Sequence, residues 1–193
     1  LVEHALSLYK PCSFTQALFQ RELNSQSGLS YLKKRYPELD RSEYVMMLER
    51  QHWMNKEQSG TLELVTEQNK EAAIAVMSDA FGEDSKESSH TLEYLLSQAD
   101  RKTFLYRFEN KAIGVLNAAM EDGAWVLHGV GIIHDSRNKG MGRQMLSLAF
   151  DHLFNEAETI QLEVDSENPP ALALYRKLGF RTTSRVDYHR LIL

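Results

Sequence analysis

The chain has 193 residues, of which 42% are hydrophobic and 25% are charged, which is ordinary usage for a globular protein. Its single cysteine, Cys12, excludes an intramolecular disulfide and with it the small secreted scaffolds that disulfides hold together. A net charge of −5 argues against general binding to the phosphate backbone of nucleic acid, which requires clustered Lys and Arg.

The sequence also predicts the compartment. No apolar run reaches the roughly 18–20 residues that a membrane-spanning helix needs. The N-terminus has no basic segment followed by an apolar one, so we do not expect a secretory signal there. With a single cysteine, these features predict a cytoplasmic protein.

Residues 1–60 are expected to form a small helical N-terminal extension, separate from a main domain over 61–193. One helix would follow a Ser13 cap, and a second would begin at Asp40 or Ser42. The expected apolar faces are Phe14, Ala17, Leu18 and Leu23 in the first helix, and Tyr44, Met47 and Leu48 in the second.

A short basic cluster, Lys33-Lys34-Arg35, lies inside this extension. It raises a DNA-reading helix-turn-helix as an alternative, since such modules combine a recognition helix with basic backbone contacts. Three basic residues are weak support for that alternative. A packing or dimerisation extension is the preferred interpretation, and it is compatible with a homodimer.

From residue 61 onward the apolar pattern alternates between the periods of strand and helix, in the order β-α-α-β-β-β-α-β-α-β. Short turns between three successive strands favour antiparallel pairing. The pattern predicts a mixed α/β domain whose sheet is largely antiparallel and is flanked by helices. Strands are expected at 61–65, 103–108, 112–120, 124–133, 160–164 and 180–193; helices are expected between Asn69 and Gly82, and at 91–99, 140–154 and 171–178, with 83–90 as a loop.

A glycine-containing turn follows the strand expected at 124–133 and opens the next helix. The first amides of a helix lack partners and carry partial positive charge, so an anion can bind there. Gly140 and Gly142 would let a bulky diphosphate approach the backbone, and Arg137, Lys139 and Arg143 add positive charge. The stretch predicts a phosphate site, although a turn that serves helix packing would explain the glycines too.

Two common phosphate-binding motifs are excluded at this turn. A Walker loop needs Lys and then Ser or Thr after its last glycine, whereas Gly142 is followed by Arg143 and Gln144. A dinucleotide fingerprint needs a third glycine three residues after the second, where this chain has Met145.

A second informative stretch begins at Asn168 and ends at Phe180. Its two prolines suit the start of a helix, where a missing N–H costs little. Tyr175 falls on the same helical stripe as Ala171 and Leu178. Taken alone, such a tyrosine is more often a packed core residue than part of a site.

Together the two stretches resemble the GNAT family of N-acetyltransferases, over residues 61–193. The family pattern of Arg or Gln, two residues, Gly, one residue, and Gly or Ala is matched by Arg137, Gly140 and Gly142. His134 departs from the family, since many relatives have Pro there. The downstream family pattern is matched by Asn168, Ala171, Leu174, Tyr175, Gly179 and Phe180.

The resemblance implies that the acyl carrier is acetyl-CoA. Backbone amides of residues 138–143 would hold its pyrophosphate, and the main chain around Ile132 would run beside the pantetheine arm. Asn168 would bond to the pantetheine or acyl region, and Tyr175 would protonate the departing thiolate. The implied cofactor-binding residues are Ile132, Arg137, Asn138, Lys139, Gly140, Met141, Gly142, Arg143 and Asn168.

An attacking amine must also lose a proton. His128, nine residues before Arg137, is the candidate base, because an unperturbed imidazole exchanges protons near neutrality. Glu163 and Glu121 are the alternatives, and a structural strand histidine is a further interpretation of His128. The histidines lack metal-ligand spacing, so no metal is expected.

These observations predict an acyl-CoA-dependent N-acyltransferase that transfers acetyl directly to a primary amine on a small molecule or a protein. Tyr175 and His128 are the expected catalytic residues. The alternative from another class is a non-catalytic acyl-CoA sensor, with residues 1–60 as an interaction arm. The paired presence of Asn168 and Tyr175 favours the enzyme.

Overall fold

The computed structural model describes residues 16–22, 39–54 and 58–192. The predictions made for Ser13, Phe14, Leu23 and the basic cluster at 33–35 lie outside these residues. The strands are β1 (Gln16–Glu22), β2 (Leu39–Glu49), β3 (Thr61–Leu64), β4 (Arg101–Phe108), β5 (Lys111–Glu121), β6 (Ala124–Ile132), β7 (Thr159–Asp165) and β8 (Arg181–Ile192). The helices are α1 (Lys70–Phe81), α2 (Ser85–Ser97), α3 (Met141–Leu153) and α4 (Pro169–Leu178).

The helical prediction for the N-terminal extension is wrong for residues 16–22 and 39–49, which are strands. Residues 16–22 form β1, and the second predicted helix is replaced by β2, followed by a 3-10 turn at Arg50–His52. Burial along β2 falls on Ser42, Met46 and Leu48, which share the even positions of a strand. For β1 the physical reason for a strand instead of a helix is pairing. β1 runs antiparallel to β8, a segment more than 160 residues later in the chain.

From residue 61 the predicted order of strands and helices is confirmed, and the fold is the expected mixed α/β arrangement. One boundary is wrong by more than two residues. Residues 83–90 were expected to be a loop, but α2 already begins at Ser85, because the Asp84 side chain accepts hydrogen bonds from the amides of Lys86 and Glu87. The predicted stop of α1 at Gly82 is confirmed by the left-handed φ of 72° at that residue.

The described chain divides into two compact units. The first contains 16–22, 39–45, 164–172 and 182–192. The second contains 46–54, 58–163 and 173–181. The predicted domain boundary at residue 60 stays a prediction.

The first unit holds a closed network of polar side chains. Ser42 Oγ donates to Asp187 Oδ1 at 2.8 Å, and Arg185 donates to both side chains. Ser42 and Asp187 are both buried, at 4% and 9% exposure, so this pairing satisfies groups that would otherwise be costly to bury.

In the second unit five strands lie in the order β7-β6-β5-β4-β3. β3 to β6 pair antiparallel, and β6 pairs parallel with β7. The turns between β4, β5 and β6 place Glu109, Asn110, Asp122 and Gly123 at positive φ, as tight hairpins require. The predicted antiparallel neighbours are therefore confirmed.

Helices cover both faces of these five strands. A Cβ on Gly114 would meet Met145 of α3, whereas a Cβ on Gly131 would meet Ala80 and Phe81 of α1. Gly131 pairs with Val115, the residue directly after Gly114 on β5, so the two glycines face opposite sides of the sheet. The core of this unit therefore lies in two layers, between the sheet and α3 and between the sheet and α1.

Candidate functional site

The candidate site begins where β6 no longer pairs with β7 and keeps only β5 as its neighbour. Its pairing with β5 continues to Ile132, opposite Gly114. Its pairing with β7 covers three residues, from Trp125 opposite Ile160 to Leu127 opposite Leu162. Residues 128–132 of β6 have no β7 partner, so those of their backbone groups that point away from β5 are not paired within the sheet. An extended ligand arm can bond to such groups in the way that an added strand does.

The turn after β6 prepares the start of α3. Residues His134–Ser136 form a 3-10 turn, and Asn138 and Gly140 then adopt left-handed φ values of 59° and 80°. The first helical bond runs from the amide of Gln144 to the carbonyl of Gly140. The amides before Gln144 in the first turn of α3 thus have no partner inside the helix, and that turn contains no acidic residue.

The two glycines leave room at this helix start. A Cβ at Gly140 would meet nothing within 4 Å. A Cβ at Gly142 would lie 3.6 Å from Leu174 Cδ2 and 3.8 Å from Ile132 Cγ1, which are ordinary contacts. The backbone is therefore open at both positions. The left-handed φ favours glycine at position 140, whereas packing does not require glycine at position 142.

Arg137 braces the turn through protein carbonyls. Its Nε donates to Ile132 O at 2.9 Å, and its Nη2 donates to Ala80 O at the end of α1 at 2.7 Å. Beside it, Asp79 Oδ1 accepts from the amide of His134 at 2.6 Å. Asp79 and Ala80 were missed in the sequence, because they lie more than 50 residues from the turn and no local pattern links them to it.

Two further cationic residues, Lys139 and Arg143, lie at the start of α3. Lys139 Nζ donates to Asp135 O at 2.8 Å, which keeps the ammonium group within the turn, and Arg143 is exposed in the first turn of α3. Both charges are available to an anion bound at the helix start, in addition to the helix dipole.

His128 and Glu121, two separate candidates for the base, come together in the structure. His128 is the extra residue of a bulge in β6, since Asn117 pairs with Gly129 and Ala118 pairs with Leu127. Its Nε2 lies 2.7 Å from Glu121 Oε1, and both side chains are about half exposed. The third candidate, Glu163, lies exposed on β7.

Tyr175 is packed in the core of its unit, with 8% of its surface exposed. Its ring meets Phe180 edge-on at a centroid distance of 5.7 Å. Burial raises the pKa of the Tyr175 phenol to about 12, so the hydroxyl keeps its proton at neutral pH. This burial is compatible with a packed core residue and also with the proton donor that the sequence predicts.

Asn168 lies in the other unit and caps α4. Its Oδ1 accepts from the amide of Ala171 at 3.2 Å, and its carbonyl accepts from the amide of Leu172 at 3.1 Å. The two prolines at the start of α4 occupy the first helical positions, as the sequence predicted. The side chain of Asn168 thus has a structural task at a helix start.

The residues of the helix start fit a diphosphate-bearing group such as coenzyme A. The two glycines leave the backbone open, unpaired amides and cations supply positive charge, and the adjacent strand offers unpaired backbone groups. In the described part of the chain no three His, Cys, Asp or Glu side chains are grouped to hold a metal ion. Over the same residues, no helix combines the length and apolar character of a membrane span.

Comparison with known proteins gives a family match. Residues 70–180, more than half of the chain, match the sequence model of the Acetyltransferase (GNAT) family. A mycothiol acetyltransferase from Streptomyces griseus is 37% identical over 59 residues, which are 30% of this chain and 19% of that protein. The match thus covers about a fifth of the length of that curated relative.

Solved structures show the same fold. An acetyltransferase of the GNAT family from Colwellia psychrerythraea superposes with a TM-score of 0.74 at 13% identity, over 91% of this chain and 65% of that chain. A GCN5-related N-acetyltransferase from Kribbella flavida gives 0.73 at 20% identity, over 98% and 73% of the two chains. At these identities the similarity concerns the fold.

Proposed function

Because the chain belongs to the acetyltransferase (GNAT) family, we propose that it is an N-acetyltransferase that moves the acetyl group of acetyl-CoA directly to a primary amine. One observation carries the proposal. β6 parts from β7 after Leu127 and leads straight into a glycine turn at the start of α3. This arrangement offers a backbone groove for an extended arm and an anion site at its end.

In this proposal the pyrophosphate binds to backbone amides of residues 138–143. Gly140 and Gly142 give the phosphates access, and Lys139 and Arg143 contribute charge. Arg137 supports the same turn by holding Ile132 O and Ala80 O, so its contribution is to the shape of the turn. The main chain around Ile132 lies beside the pantetheine arm, and the contact expected for Asn168 stays a prediction.

Acetyl-CoA supplies an acetyl thioester, whose carbonyl carbon bonds to the amine nitrogen as the carbon–sulfur bond breaks. His128 accepts the proton that the amine loses, directly or through water. Glu121, 2.7 Å away, orients the imidazole ring for that transfer. Holding the two reactants together provides most of the acceleration.

Tyr175 is the proposed hydrogen-bond donor to the departing sulfur atom. A thiol has a pKa of about 8.5, whereas burial raises the pKa of Tyr175 to about 12. The phenol is thus the weaker acid of the two. It stabilises the developing thiolate by donating a hydrogen bond from its O–H, and any proton it gives up returns to it readily from a protonated thiol.

The location and partners follow as part of the proposal. A single cysteine suits a reducing compartment, and we propose the cytoplasm. The acceptor is an amine on a small molecule or a protein, and residues 1–60 provide a packing or homodimer contact rather than a nucleic-acid contact.

Acetyl-CoA binding measured by calorimetry tests the proposal. The intact chain is compared with Gly142→Ala, Gly142→Gln and Gly142→Glu. The alanine methyl makes only ordinary contacts with Leu174 and Ile132, so that variant should fold and bind within a few-fold of the parent. Glutamine adds bulk, and glutamate adds the same bulk with a negative charge, so affinity should fall in that order, by about 100-fold or more for glutamate.

Each of three outcomes tests a stated part of the proposal. Binding that is lost in a folded Gly142→Glu variant places the cofactor at the start of α3 and justifies a screen of primary amines by thiol release. An intact chain that does not bind acetyl-CoA would refute the proposed acetyltransferase. Equal affinity in all four proteins would refute the proposed position of the pyrophosphate.

A further inference from the structure

Asn117 is a buried polar residue to which the proposed reaction assigns no role. It lies on β5 with 6% of its surface exposed, and its Oδ1 has no hydrogen-bond partner among the described residues. A buried polar atom without a partner destabilises the folded state, and an apolar side chain of similar shape would avoid that penalty. Folding stability alone therefore does not account for asparagine at this position.

The side chain of Asn117 lies against the bulge of β6. Asn117 pairs with Gly129, and the register changes before Ala118, which leaves His128 as the inserted residue. The Nδ2 atom of Asn117 is 2.8 Å from the position that a Cβ of Gly129 would take. The carboxamide thus occupies the space that the missing side chain of Gly129 leaves open.

The bulge determines where the following residues point. A bulge redirects the inserted side chain, and in this strand that side chain is His128, which reaches Glu121. Without the insertion, the register of residues 129–132 would shift by one, and their side chains would turn to the opposite face. The bulge therefore sets both the direction of His128 and the approach of the main chain to the glycine turn.

We propose that Asn117 is a positioning residue for His128. Its carboxamide, packed on Gly129, holds the bulge of β6 and thereby directs the imidazole ring towards Glu121. The proposal rests on the proposed function, in which His128 accepts the proton of the amine. Asn117 acts through His128 and does not touch the reacting atoms.

The test variant is Asn117→Leu, which keeps the approximate shape and removes the carboxamide. The matched control is Thr103→Val on β4. Thr103 is the direct partner of Asn117 across the sheet and is equally buried, at 3% exposure, so the control makes the same row of the sheet more apolar without altering the bulge. A second variant, Asn117→Ala, serves if the leucine side chain does not fit.

Three quantities are measured: the melting temperature, the NMR signals of the His128 ring, and the kinetics of acetyl transfer. The ring signals are identified by their loss in His128→Ala. We expect Asn117→Leu to melt at the same temperature as the parent or about 2–4 °C higher, because the unpaired Oδ1 is gone. The His128 signals should move, and kcat should fall about tenfold while the KM for acetyl-CoA stays the same.

The Thr103→Val control gives the ring signals and the kcat with which the Asn117 variants are compared. His128 signals and a kcat in Asn117→Leu, or in Asn117→Ala, that equal those of Thr103→Val would overturn the proposal, because Asn117 would then be an ordinary core residue. Failure of the intact chain to bind acetyl-CoA would refute the proposed function separately. In that case the ring signals, which need no ligand, still decide whether Asn117 positions His128.

Discussion

At the scale of single residues, the role proposed for Tyr175 combines packing and chemistry in one side chain. The ring is buried against Phe180, so the aromatic part belongs to the core. The same burial keeps the hydroxyl protonated by raising its pKa to about 12. Removing the oxygen alone should therefore separate the two roles.

Tyr175→Phe should fold normally and lose turnover. The packed ring is retained, but the proposed donor to the departing sulfur is lost, so kcat should fall by roughly 10²-fold at saturating acetyl-CoA and amine. The control is Tyr106→Phe, in which a buried tyrosine loses its hydrogen bond to Ser59 O. That variant should lose stability and keep its kcat. An unchanged kcat in Tyr175→Phe would rule out the proposed donor.

Tyr175 should also make the protein sensitive to alkali. Its folded pKa, about 12, lies above the usual phenol value near 10, so the stability linked to its proton is complete below pH 10 and is lost as pH rises towards 12. At pH 11 the loss is about 1.4 kcal/mol. Melting temperatures at pH 9 and pH 11 should fall less in Tyr175→Phe than in the parent, and an equal fall in both proteins would contradict the assignment.

At the scale of elements, α2 shows how a single side chain sets a boundary. Periodicity places the apolar positions of this helix from residue 91 onward, and the preceding polar stretch has the composition of a loop. The helix nevertheless begins at Ser85, since Asp84 satisfies the amides of Lys86 and Glu87. The side chain of Asn69, directly before α1, makes no bond to the helix amides; it accepts from Thr66 N and donates to Leu64 O.

Asp84→Ala should lower the free energy of unfolding by about 0.5–2 kcal/mol, because two amides at the start of α2 lose their acceptor. Denaturant titration measures the change. Asp100→Ala removes an equally exposed carboxyl group from the turn before β4 and should change stability by about 0.5 kcal/mol or less. Equal effects of the two substitutions would show that the capping bonds contribute nothing.

At the scale of the whole molecule, a net charge of −5 opposes the binding of the proposed anionic cofactor. The start of α3 counters this locally with Lys139 and Arg143, and its first turn contains no acidic residue. Local attraction of this kind at an exposed site is screened by salt.

Acetyl-CoA affinity should therefore fall on the order of tenfold between 0.05 and 0.5 M NaCl. Calorimetry across this range measures the slope. S-acetylpantetheine, which has the thioester but lacks the phosphates, is the control ligand and should bind with little dependence on salt. A salt-independent affinity for acetyl-CoA would contradict a pyrophosphate site at this helix start.

The features that could be predicted from the sequence are those that local chemistry controls. From residue 61 the alternation of strand and helix periods, the tight turns and the stop at Gly82 were all visible, because each depends on residues within a few positions. The two motifs around Gly140 and Tyr175 were visible for the same reason, and they led to the family.

The remaining features depend on residues that are distant in the sequence and meet only in the folded chain. β1 and β2 carry apolar spacings that also suit helices, and residues 16–22 are strand because β8 pairs with them. The pairing of His128 with Glu121, the support of the turn by Asp79 and Ala80, and the contact of Asn117 with Gly129 all arise where the sheet or a helix brings separate segments together. Periodicity records which face of an element is apolar, but it does not record which segment that face will meet.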